Sequence, residues 1–348
     1  MKAVYFTGLR ELKIEEVPQP KLDRPDAVLL RIDRVGVCGS DVHYYVNGRI
    51  GRQVVEYPAT VGHECSATVI EVGSAVERVG VGDRVAVDPA MVCGECDQCR
   101  AGRQNTCRKL QFMGCPGEAP GAMAEYYVVP AQNCLPIPEA ISLDQAVLAE
   151  PLSVSFHAVR LGEVYPAARV AVLGAGPIGL GVLICAKATA PCTVYVTDLL
   201  DERLRAAEAC HADWTGNARR DDVYAAIRQQ EPWGLDLVFE CSGDPACIDL
   251  AQGLLTPGGT LVLVGIPPTP QVGVDFHMMR HRELMFRSVR RQRGCVAPAL
   301  RLIGEGHLDT RPLLTHRFPL EEVCDAFELV AGYRDGVIKA VIDVSSAE

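Results

Sequence analysis

Four cysteines fall within one short stretch, Cys93-x2-Cys96-x2-Cys99-x7-Cys107. Four thiolates close a tetrahedral zinc site and leave no position for a substrate, so the group reads as a staple for its own loop. Ferredoxin-type iron–sulfur proteins share the C-x2-C-x2-C run, but their fourth cysteine follows after three residues and precedes proline. Here it follows after seven and precedes Arg108, which favours zinc. Cys38 and the pair His63-Glu64 form a different kind of set, far apart in the chain and mixing sulfur, nitrogen and oxygen donors. Three protein ligands with an open position make a catalytic site. Glu64 reads equally as a partner behind the ligands, and Glu150, in A-E-P-L-S-V, is a candidate fourth ligand or holder of a water at the metal.

A third constellation follows downstream. Gly174, Gly176 and Gly179 spell G-x-G-x-x-G, with Pro177 and Ile178 between the last two, after an apolar β-like run and at the start of a helical one. The first glycine permits a tight turn, the second lets backbone approach a pyrophosphate, and the third lets helix and strand pack closely. Free N–H groups at the helix N-terminus face the anion. Asp198 ends the next strand, where a carboxylate accepts hydrogen bonds from ribose hydroxyls and repels a 2′-phosphate. The expected cofactor is therefore NAD rather than NADP, with Arg203 flanking the adenine.

These residues need two scaffolds. The first ~150 residues show short β-rich runs such as Ala27–Ile32, Ala67–Val72, Arg84–Val87 and Ala124–Val129, punctuated by Gly, Pro and Asp. The stretch from about 88 to 122 is aperiodic and reads as a metal-stapled lobe. From about 153 to 290 strands alternate with helices: Arg169–Leu173, Thr193–Thr197, Leu235–Glu240 and Thr260–Val264 are strands, Asp201–Cys210 a helix. That alternation predicts βαβ units and a parallel sheet. The last ~55 residues, ending in strand Ile338–Val344, are too few for a core of their own and are expected to rejoin the first domain. The division is 1–152, 153–290 and 291–348.

Bulk properties narrow the function. With 348 residues, 22% charged and a mean hydropathy of +0.10, the chain has the composition of a soluble globular protein. A net charge of −10 argues against nucleic acid or an anionic membrane as partner. The apolar stretch Val170–Ala186 carries too many glycines for a spanning helix and is expected to be strand, turn and helix. Met1-Lys2 leads directly into a strand-like run, so no signal peptide is expected. Fifteen cysteines, an odd number, fit a reducing cytoplasmic setting, with Cys65, Cys185 and Cys241 as core filler. His157, beside an apolar stretch, reads as packed rather than as a ligand, and Arg287, Arg290 and Arg293 as a solvated face.

Over its whole length the chain resembles the zinc-dependent medium-chain dehydrogenases, in their sorbitol (polyol) dehydrogenase branch. The matching segments are Gly36 to Tyr45 (G-V-C-G-S-D-V-H-Y-Y), Asn47 to Gly51 (N-G-R-I-G), Gly62-His63-Glu64, Glu150 to Val154 (E-P-L-S-V) and the dinucleotide turn. The resemblance implies an α/β chain: a GroES-like, mostly β catalytic domain built from both chain ends, and an inserted Rossmann domain with a doubly wound parallel sheet. It also implies homotetramers, one catalytic and one structural zinc per chain, and oxidation of a polyol's secondary hydroxyl to the ketose with hydride transfer to NAD. Cys38, His63 and Glu64 would bind the catalytic zinc, with Glu150 holding its water or entering the shell. Ser40 and His43 occupy the positions of a proton relay. Tyr44 and Arg291 would contact the polyol, as would Gln292, which stands where the family usually has tyrosine and so puts the preferred polyol in question. Val264, Gly265 and Ile266 would line the cofactor. Threonine 3-dehydrogenase, with the same fold and metals, and a catalytically silent protein on this fold are the competing readings.

Overall fold

The computed structural model describes residues 1–345, which divide into two compact units. The first comprises residues 1–150, 296–305 and the C-terminal segment from Leu314. Its main sheet runs, edge to edge, through Cys134–Pro136, Arg84–Val87, Glu64–Val72, Ala27–Gly36, Lys339–Asp343 and Leu314–Pro319, while Tyr126–Pro130 also pairs with Ala27–Gly36. Only the last two in that order pair in parallel; the other pairings are antiparallel.

Ala27–Gly36 lies at the centre and is buried along nearly its whole length, its charged residues Asp33 and Arg34 included. The chain end docks beside it in the register Val341↔Gly36 and Ile342↔Val35. Ala340 and Ile342 join the core there, and the rings of Phe6, Tyr45 and Phe327 form its aromatic centre, with centroids 5.2 to 6.2 Å apart. The return of the C-terminal segment thus completes a core that the N-terminal strands could not close.

The second unit, residues 151–295 with 306–313, holds a six-stranded parallel sheet. Numbered along the chain, its strands stand in the order 3-2-1-4-5-6, from Trp214–Asn217 through Thr193–Asp198, Arg169–Leu173, Leu235–Glu240 and Leu255–Leu263 to Met285–Ser288. This is the doubly wound dinucleotide-binding topology, whose ligands sit beyond the carboxyl ends of strands 1 and 4. The excursion of 306–313 into this unit has no counterpart in a simple division at residue 290.

The apolar stretch 170–186 resolves into most of strand Arg169–Leu173, the glycine turn and the first part of helix Pro177–Thr189. Gly179 through Ala186 are all buried, so this helix is apolar all round without meeting lipid. Among the described residues no helix is long and apolar enough to cross a membrane.

Gly174 sits at φ +97°, and a Cβ on Gly179 would run into the Gly174 carbonyl oxygen. The turn can close this tightly only without side chains at those points. A Gly179→Ala variant is expected to lower the melting temperature and weaken NADH binding at least tenfold, read by calorimetry and by NADH fluorescence titration.

Candidate active site and metal centres

The sheet register explains how ligands distant in sequence meet. Strand Ala27–Gly36 delivers the chain to Cys38, the N-cap of helix Gly39–Asn47, while Glu64 opens the neighbouring strand directly opposite Gly36. A side chain on Gly36 would overlap the Glu64 carboxylate, so the glycine leaves room for it. The donor atoms of Cys38, His63 and Glu64 consequently lie within 4.8 Å of one another. A mixed sulfur, nitrogen and oxygen set at that spacing fits one zinc ion with a position to spare.

Two buried partners brace this set. Asp41 is fully buried, and its Oδ1 stands 3.3 Å from His63 Nδ1. A carboxylate behind a ligating histidine fixes the ring and its tautomer, leaving Nε2 to bind. Burial alone would push this imidazole's pKa down; Asp41 and Cys38 outweigh it and hold the pKa well above the usual value. The second partner is Lys339, whose Nζ donates to Glu64 Oε1 and Oε2, each at 2.7 Å, and to the Val37 carbonyl at 3.2 Å. Both side chains are at most 2% exposed. Glu150 is buried too. Burial pushes its carboxyl up to about 7; Glu64 and Asp88 add to the effect, while His63 and Lys339 oppose it.

Of the remaining expected residues, Ser40 Oγ donates to Cys38 Sγ at 3.2 Å. His43 is half-buried, and burial lowers its pKa. The Tyr44 hydroxyl donates to Gln53 Oε1 at 2.9 Å, and Gln53 Nε2 in turn donates to Cys115 Sγ at 2.9 Å and to the Pro116 carbonyl at 3.1 Å. The loop carrying Cys115 packs against the metal set, since Phe112 lies 5.3 Å from the His63 ring and Gly114 abuts Gly62.

The second unit presents the nucleotide residues. Asp198 Oδ2 accepts from Ala175 N at 2.7 Å within the glycine turn, and Oδ1 accepts from Leu199 N and Leu200 N. Arg203 Nη1 stands 3.7 Å from Asp198 Oδ2. Val264 N and Gly265 N both donate to the Glu240 carbonyl, while the Glu240 carboxylate takes hydrogen bonds from Ser242 N and Gly243 N. Ile266 is 44% exposed beside them. Arg291 holds a left-handed φ of +51°, a strained conformation for a side-chain-bearing residue. Gln292 is buried with its Oε1 accepting from Cys295 N, at the entry to helix Val296–Gly304.

Asp41, Lys339 and Glu240 escape the sequence reading. For Asp41 a signal exists, its position three residues after Cys38; Lys339 has none, because its partner lies 275 residues away.

In the four-cysteine lobe the sulfurs of Cys93 and Cys107 are 3.5 Å apart, Cys96 and Cys107 3.9 Å, Cys93 and Cys99 4.0 Å. Four sulfurs at ~2.3 Å from one ion stand about 3.8 Å apart in a tetrahedron. The set therefore fits a single zinc; a multi-iron cluster between the sulfurs would force them further apart. Backbone N–H groups of Arg108 and Cys99 lower the Cys96 thiol to about 6, favouring the thiolate that a metal needs. Cys99→Ala is expected to reduce bound zinc from two to one per chain by elemental analysis, and to make the 93–107 loop protease-sensitive.

Comparison with known proteins agrees with this geometry. Residues 24–139 match the alcohol dehydrogenase GroES-like domain, and residues 177–305 match the zinc-binding dehydrogenase domain. Sorbitol dehydrogenase of Bacillus subtilis is 36% identical over 98% of this chain and 97% of its own length. The Gallus gallus sorbitol dehydrogenase is 38% identical, covering 94% of this chain and 92% of its own. Among solved structures, an Escherichia coli oxidoreductase/dehydrogenase of unknown specificity involved in membrane biogenesis superposes with a TM-score of 0.94 at 31% identity, over 99% of each chain. The chain belongs to the zinc-dependent medium-chain dehydrogenase family, on its sorbitol dehydrogenase branch, and is an oxidoreductase.

Proposed function

We propose that the protein oxidises a secondary hydroxyl of a polyol to the ketose, using NAD. The observation that carries this reading is the Cys38–His63–Glu64 set, braced by Asp41 and Lys339, which a silent scaffold would have no need to keep. When bound, zinc supplies Lewis acidity that lowers the pKa of an adjacent alcohol, and NAD supplies the hydride acceptor. The protein's own residues do the rest. Cys38, His63 and Glu64 would hold that zinc, and Asp41 keeps the imidazole oriented. Glu150, a buried carboxylate, is assigned the proton, by way of the water it would hold. Ser40 and His43 offer a second route for that proton.

Tyr44 and Arg291 are assigned to the substrate's further hydroxyls. Asp198 supports NAD over NADP, since a 2′-phosphate would meet its carboxylate at the turn it already organises. The high and odd number of cysteines in the sequence supports a reducing, cytoplasmic setting, and the family resemblance supports a homotetramer.

The test is reduced-cofactor formation on sorbitol, xylitol, galactitol, L-arabinitol, ribitol and L-threonine, with NAD or NADP, before and after a zinc chelator. Chelator-sensitive oxidation of at least one polyol is expected, with NAD preferred at least tenfold. Activity on threonine alone, or undiminished activity without zinc, would sink the proposal.

A further inference from the structure

Strands 2 and 4 flank strand 1 in the sheet of the second unit, and each ends in a buried carboxylate. Asp198 closes strand Thr193–Asp198 and braces the glycine turn through Ala175 N. Glu240 closes Leu235–Glu240 on the other side of strand 1, and it holds two loops at once. Its Oε1 accepts from Ser242 N at 2.7 Å, Ser242 Oγ at 2.5 Å and Gly243 N at 2.8 Å. Its backbone carbonyl accepts from Val264 N at 2.8 Å and Gly265 N at 2.9 Å, in the loop after strand Leu255–Leu263. Hydrogen bonds rather than an ion pair thus satisfy this buried carboxylate. The two loops pack with no room for side chains. A Cβ on Gly265 would come within 2.2 Å of Gly243 N and 2.6 Å of Glu240 Oε2. One on Gly243, which sits at φ +76°, would meet the Ile266 carbonyl oxygen at 2.4 Å.

A dinucleotide crosses a sheet of this topology beyond the carboxyl ends of strands 1 and 4, with its pyrophosphate at the glycine turn. Asp198, on the strand 2 side, is assigned the adenosine ribose. The nicotinamide half therefore falls on the strand 4 side, where the loops that Glu240 holds form the wall. We propose that Glu240 is a positioning residue for that half. Its carboxylate clips 241–244 in the shape that lets 264–266 close against it, and so fixes the backbone on which the nicotinamide riboside rests. The glycine turn has braces of its own, since Ala175 N donates to Asp198 and Gly174 N to the Thr197 carbonyl. The adenosine half consequently does not depend on the clip. The inference rests on the dinucleotide reading of this site but on no particular substrate.

Two titrations separate the clip from a general prop of the domain. NADH carries both halves of the cofactor, whereas ADP keeps the adenosine and two phosphates but has no nicotinamide riboside. Glu240→Ala is expected to weaken NADH at least tenfold by fluorescence titration, and to leave ADP within about twofold of wild type by calorimetry. Glu240→Gln should stay within about threefold for both ligands, because all three bonds fall on Oε1 and an amide oxygen can accept them. Gly265→Ala keeps the carboxylate but drives a methyl toward Gly243 N and Glu240 Oε2. It should reproduce the NADH loss with ADP spared, and it carries the test if Glu240→Ala does not fold. Equal weakening of both ligands in the alanine variants would make Glu240 a prop for the fold and overturn the proposal, as would unchanged NADH binding. A Glu240→Gln variant as weak as Glu240→Ala would overturn it too, since charge and not the clip would then be acting. Wild type that binds neither NADH nor ADP would instead defeat the dinucleotide reading, and this proposal with it.

Discussion

A buried ammonium must find a counter-charge and three acceptors, and in this protein Lys339 finds them at Glu64 and Val37. Removing one partner of such a pair typically costs about 3–5 kcal/mol, because the survivor is left charged in a medium that cannot solvate it. Three pieces of chain meet at that point: the strand leading to Cys38, the strand opening at Glu64, and the strand that brings the C-terminal segment back. The same contact that closes the sheet also places a metal-binding carboxylate. Fold and site are not separable here, since the register Gly36↔Glu64 and Val341↔Gly36 sets both.

The two metal centres answer different demands with different chemistry. The lobe offers four sulfurs of one kind, contributed by one short loop, with backbone N–H groups turned toward them. Such a site is complete as it stands and its natural role is to hold 93–107 in shape. The Cys38 set mixes three donor types, and each of its weaker donors has a buried companion: Asp41 behind His63, Lys339 behind Glu64. Surrounding charges matter because burial weakens their screening, and Glu150 feels four of them at once.

Local spacing was the most readable feature of the sequence. The four-cysteine run and the glycine turn lie within single loops, so residue type and interval alone indicate how they close. Strands Arg169–Leu173 and Leu235–Glu240 stand out with their ends correct, because a parallel strand buried on both faces is a plain apolar run. Trp214–Asn217 was not visible: W-T-G-N has neither alternation nor a β-branched run, and it becomes a strand by pairing with Thr193–Asp198. Lys339 was invisible for a deeper reason. A lysine near a chain end is ordinarily solvated, and only the docking of the last strand turns it into a core residue. The contact of Gln292 with the helix entry was equally unreadable, since the sequence does not say that its amide oxygen accepts from Cys295 N.

The measurement that bears most directly on this account is a crystal structure of the zinc-loaded enzyme with anomalous data at the zinc edge. The account predicts two peaks per chain. One lies among Cys93, Cys96, Cys99 and Cys107; the other lies against Cys38 and His63, with Lys339 still within hydrogen-bonding distance of Glu64. A single peak confined to the lobe, or a second peak away from Cys38 and His63, would contradict it.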